Sequence, residues 1–71
     1  MDISKRILEL QQESGLSKQD FAMKIGVSQA TLSHLQSGRN KASLDLVLSI
    51  LQTFEDINSD WLLFGKGEMR R

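Results

Sequence analysis

The side chains in this chain best suited to selective chemistry are small, polar and mostly uncharged, and they cluster just after residue 28. Gln29 carries a donor and an acceptor on one amide, which matches the N6/N7 edge of adenine. Ala30 offers a methyl group that suits the methyl of thymine. Ser33, His34 and Ser37 add short hydrogen-bonding groups three and four residues further on. Such a set recognises by contact; it does not break bonds.

Catalytic chemistry finds no footing. His34 is the single histidine and there is no cysteine, so a metal site lacks its usual ligands and a thiol nucleophile is excluded. No nucleophile–base spacing, zinc motif or phosphate-cradling glycine loop occurs, and no carboxylate pair sits in a pocket-forming context. The reading is of a non-enzyme with no cofactor. For His34 the plain alternative to a base or phosphate contact is a solvated surface histidine.

Around this cluster stand groups suited to phosphates. They are Lys18, Gln19, Ser28, Thr31, Arg39, Asn40 and Lys41, together with the backbone amides at two expected helix starts. Nine basic and nine acidic residues cancel overall. Their distribution does not cancel: residues 17–41 carry a net +3 and residues 42–68 a net −4. One positive face and one acidic face fit an anionic partner approached from one side. Arg39 and Lys41 also admit the plainer reading of a solvated loop.

The elements that hold these groups read as helices. Proline is absent, no strand alternation occurs, and capping residues recur before apolar periodic runs. Helix 1 is expected from Ile3 to Glu13, with Ile3, Ile7 and Leu10 inward. Helix 2 starts after Ser17, with Asp20 completing a capping box. It turns Phe21, Ala22 and Ile25 inward and stops at Gly26. Helix 3 starts after Ser28 and is anchored by Leu32 and Leu35. Helix 4, from near Ser43, carries an expected inward stripe of Leu44, Val47, Leu48, Leu51 and Phe54. Helix 5 is short, capped by Asn58 or Ser59, and runs through Trp61 to Phe64. The organisation is one all-α domain over residues 1–66 and a tail, 67–71, expected to fray.

Two short helices joined by a three-residue turn must cross steeply. At 100° per residue, Ala30, Ser33, His34 and Ser37 then face away from Leu32 and Leu35, with Gln29 beside them. Small side chains on such a face let a helix approach closely. A helix so presented, with phosphate-binding groups around it, has the geometry of a helix-turn-helix in a major groove.

At these residues the sequence resembles the phage-repressor/Cro-like, or XRE, helix-turn-helix family. The resemblance is carried by Phe21, Ala22, Ile25, Gly26, Val27, Leu32 and Leu35, by SGRNKAS at 37–43, and by SDWLLFGKGEM at 59–69. Ala42 departs from the pattern, since the family often has proline there. The resemblance implies a compact five-helix, lambda-repressor-like domain with helices 2 and 3 as the helix-turn-helix. It implies base contacts from Gln29, Ala30, Ser33 and His34, and backbone contacts from Lys18, Ser28, Thr31, Arg39, Asn40 and Lys41. The function implied is a sequence-specific regulator of transcription, a repressor, bound to double-stranded DNA. The alternative is an antitoxin-like module that binds a partner protein and its own operator.

Apolar residues exceed what one small core needs. Trp61 to Phe64 alone span about 300° of a helix. Leu46, Ile50, Leu63, Phe64 and Met69 are therefore a candidate interface for a homodimer, which would call for a palindromic operator. The competing arrangement folds Met69 and the tail back over the exposed edge. No apolar run approaches the ~18 residues of a membrane span and no signal peptide is evident, so a cytoplasmic protein without a membrane partner is expected.

Overall fold

Four capping side chains set the helix starts. Ser17 Oγ accepts from the Asp20 N–H at 3.1 Å, Ser28 Oγ from Thr31 at 3.0 Å, Ser43 Oγ from Leu46 at 3.1 Å, and Asn58 Oδ1 from Asp60 at 3.0 Å. Each satisfies one of the N–H groups that a helix start leaves without a partner. The structure, a computed structural model, describes residues 3–38 and 41–71. It is all-α, with α1 (Ile3–Ser14), α2 (Lys18–Ile25), α3 (Gln29–Gln36), α4 (Leu44–Thr53) and α5 (Ser59–Phe64). Extended pairing among the described residues is limited to one antiparallel bridge between Ile57 and Arg70.

α1 packs against α3 and α5, while α2 packs against α3 and α4. The shared core holds Ile7 and Leu10 of α1, Phe21 and Ile25 of α2, Leu32 and Leu35 of α3, and Trp61 and Leu62 of α5. Ala22 is buried where α2 meets its neighbours, and its small side chain lets the axes close in. Phe54, at the end of α4, stacks on Phe21 with ring centroids 5.6 Å apart.

That stack accompanies a roll of α4 that differs from expectation. Leu44 and Leu48 are 71% and 45% exposed, whereas Leu46 and Ile50 are 6% and 0% exposed. The inward stripe is Leu46, Val47 and Ile50, ending at Phe54. In LDLVLSILQT the apolar residues nearly encircle the helix, so more than one roll satisfies the helical period. Packing of α4 on α2 selects between them. Leu46 and Ile50 are therefore core and not a free dimer surface.

The tail also differs. The Asn58 N–H donates to the Met69 carbonyl at 2.8 Å, and the Arg71 N–H to the Asp56 carbonyl at 2.8 Å. The Arg70 guanidinium grips Glu13 at 2.9 Å and also pairs with Asp56. Residues 69–71 thus strap α1 to the α4–α5 connection, and Met69 packs half-buried against the core. Leu63 is likewise half-buried, leaving Phe64, 51% exposed, as the one member of the expected interface that is open to solvent.

Candidate nucleic-acid interface

The turn between α2 and α3 fixes how α3 is presented. Gly26 has φ +79°, a conformation that costs an L side chain energy and glycine little. Its N–H reaches the Met23 carbonyl at 3.2 Å, and the Val27 N–H reaches the Ala22 carbonyl at 2.9 Å. This pair of bonds is a Schellman motif, which closes α2 and reverses the chain within one residue. Val27 then packs half-buried on the core and Ser28 starts α3 at once.

α3 has one fully committed side and one open side. Leu32 and Leu35 are buried, while Gln29, Ala30, Thr31, His34 and Ser37 are exposed and Ser33 is half-buried. The residues expected to face bases therefore do share a free surface. Ser37 is less free than the others, because its hydroxyl donates to the His34 carbonyl at 3.0 Å. It keeps lone pairs with which to accept from an outside donor.

At the start of α3, Ser28 Oγ and Thr31 Oγ1 lie 2.8 Å apart, and either can be the donor. Two hydroxyls supply two hydrogens and their mutual bond uses one. Whichever way that bond runs, one hydroxyl hydrogen points outward, and a phosphate oxygen can accept it. Ser17 Oγ accepts from the Asp20 N–H and so keeps its own hydrogen. Gln19 is exposed and Lys18 half-buried at the start of α2. Lys41 is exposed and, with Thr31, lines a groove of about 500 Å³ between the α2–α3 turn and the start of α4. Gly26, Val27 and Leu35 line the same groove. The expected contacts Arg39 and Asn40 lie outside the described residues.

Two half-buried amides escaped the sequence analysis. Gln36 Nε2, in the last turn of α3, donates to Gln11 Oε1 of α1 at 3.0 Å. Neither residue carries charge or belongs to a motif, so sequence held no signal for the pair. No group of three or more His, Cys, Asp or Glu among the described residues is placed to hold a metal ion. No helix described is long and apolar enough to cross a membrane.

A short glycine turn, a committed inner side of α3 and an open outer side define a helix-turn-helix protein. Residues 5–62 match the helix-turn-helix family, and the chain belongs to it in its phage-repressor/Cro-like form. It is similar to Repressor protein C of Escherichia phage P2, being 39% identical over 51 residues that make up 72% of this chain and 52% of that protein. The chain thus spans about half the length of this curated relative. No solved structure shows significant similarity to it.

Proposed function

We propose that the chain is a DNA-binding regulator of transcription, a repressor, that reads double-stranded DNA by placing α3 in the major groove. The observation that carries this reading is the division of α3. Leu32 and Leu35 hold its inner side in the core, and the outer side presents Gln29, Ala30, Ser33 and His34 without a covering element among the described residues. Lys18 and Gln19 at the start of α2, Ser28 and Thr31 at the start of α3 and Lys41 ahead of α4 are the candidate contacts to the phosphate backbones, and the name of the phage P2 relative supports the same reading.

A homodimer on a palindromic operator is part of the proposal. Leu44 and Leu48 lie one turn apart on the outer side of α4, and with Phe64 they leave large apolar side chains open to water. Two copies joined symmetrically would set their α3 helices about one DNA turn, ~34 Å, apart.

Selection of bound duplexes from a random library tests the whole reading. Enrichment of a palindrome with half-sites about 10 bp apart is expected, with affinity falling as salt rises. Failure to enrich any sequence, or binding indifferent to salt, would overturn it.

A further inference from the structure

We propose that Gln11 and Gln36 are positioning residues: an uncharged amide clamp that fixes the roll and tilt of α3 and so sets the register of base reading. The inference rests on the reading of α3 as the DNA-facing helix. Gln36 Nε2 donates to Gln11 Oε1 at 3.0 Å, and Gln11 Nε2 donates to the Leu16 carbonyl at 3.3 Å. Leu16 is held a second time, because its N–H donates to Ser14 Oγ at 3.4 Å and that hydroxyl donates to the Gln11 carbonyl at 2.7 Å. One chain of bonds therefore runs from the end of α3, through α1, to the link that leads into α2. The Leu16 carbonyl dictates the Gln11 amide orientation, since a flip would set oxygen against oxygen, and Gln36 then presents its nitrogen to Gln11 Oε1.

Apolar contact alone does not define the pose of so short a helix. α3 has 8 residues, two turns, and its buried anchors are Leu32 and Leu35. Burial of leucine is non-directional, whereas a hydrogen bond restricts both distance and angle. Gln29 and Gln36 sit at opposite ends of α3, about 10 Å apart at 1.5 Å per residue. The α2–α3 turn holds the Gln29 end, so the clamp governs the far end: a tilt of about 10° about the turn would carry the Gln36 end ~2 Å sideways and move His34 and Ser33 with it, beyond the ~0.5 Å tolerance of a preorganised contact. The clamp is also neutral. It neither titrates nor places a net charge beside a phosphate backbone, so the bond itself is not lost to a change of protonation.

The test uses the full chain, the duplex enriched by selection, and a random duplex of equal length. Gln11→Met and Gln36→Met keep side-chain length and packing while deleting the bonds, and thermal unfolding establishes that each variant is folded at the assay temperature. Each is expected to lose about tenfold in affinity for the selected duplex, the scale of one hydrogen bond, with random-duplex affinity changed less than twofold. The double variant is expected to lose no more than Gln11→Met alone, because that change already deletes the bond to Gln36 as well as the one to Leu16. An unchanged ratio of selected to random binding in folded single variants would overturn the clamp and leave the DNA reading standing. Multiplicative losses in the double variant would overturn it too. A wild-type chain with no preference between the duplexes would sink the DNA reading and this inference together.

Discussion

α1 is gripped on two flanks, and the two grips are chemically unlike. On one flank Gln11 meets Gln36 of α3 through a neutral amide pair. Roughly 140–160° away around the axis lie Arg6 and Glu13. Arg6 donates from Nε to the Leu62 carbonyl at 2.8 Å and from Nη2 to the Leu63 carbonyl at 3.1 Å, near the end of α5. Glu13 takes Arg70 of the tail. The core stripe of Ile7 and Leu10 runs between the flanks. The α3 side of the domain is thus held by apolar packing and uncharged hydrogen bonds, and the α5 side uses ions as well. Charges keep their strength only where salt and counter-charges leave them alone. The surface proposed to meet a polyanion would be a poor place to rely on them for internal support.

The largest expected effect breaks the apolar seat of α3. Leu32 is completely buried, and Leu32→Ala should cost about 2–5 kcal/mol of stability, measured by denaturant unfolding. A loss under ~1 kcal/mol would mean that α3 does not depend on the core as described. Next comes the face proposed to read bases. Gln29→Ala should weaken binding to the selected duplex by about 1–3 kcal/mol and leave stability unchanged. Equal losses on selected and random DNA would remove Gln29 from base recognition. A smaller and less selective effect belongs to Lys41→Ala, which should weaken both duplexes alike and reduce the salt slope by about one.

The smallest effect sharpens the other flank. Arg70→Ala should lower the melting temperature slightly and leave DNA selectivity untouched, because its partners Glu13 and Asp56 are exposed. The hydrogen bond from Arg70 holds the Glu13 carboxyl below its ordinary value of 4.5, and Arg70 stays protonated throughout. A carboxyl depressed in the folded state contributes stability above its unfolded pKa and loses it as pH falls through the folded one. The gap in melting temperature between wild type and variant should therefore be open near pH 7 and shrink as acid protonates Glu13. A gap constant down to about pH 2 would mean that the ionised Glu13–Arg70 pair contributes nothing to it.

Sequence made the helix-turn-helix half legible because its signals are local. Ser17 and Ser28 announce α2 and α3 from the position just before each, and Gly26 marks the turn between them. The outward set of α3 follows from the period once Leu32 and Leu35 are placed inside. α4 was not legible to the same degree, since Leu44, Leu46, Leu48 and Ile50 offer competing stripes and a tertiary contact chooses among them. The strap was hidden for another reason. Glu13 and Arg70 are 57 residues apart in the chain, and a charge at an exposed terminus reads as solvated until its partner is known. Gln11 and Gln36 left no mark at all, because an isolated glutamine suits many surroundings.

The Gly26 turn has a consequence for chirality. A Cβ added there in the ordinary L configuration would meet nothing within 4 Å, so crowding does not demand glycine and only the handedness of the backbone resists a side chain. A mirror-image residue prefers that same positive φ. In a chain assembled by chemical synthesis, D-alanine at position 26 would suit the bend between α2 and α3 and leave the unfolded chain fewer conformations to lose. The elbow that presents α3 could be stiffened there without changing a single side chain of α3.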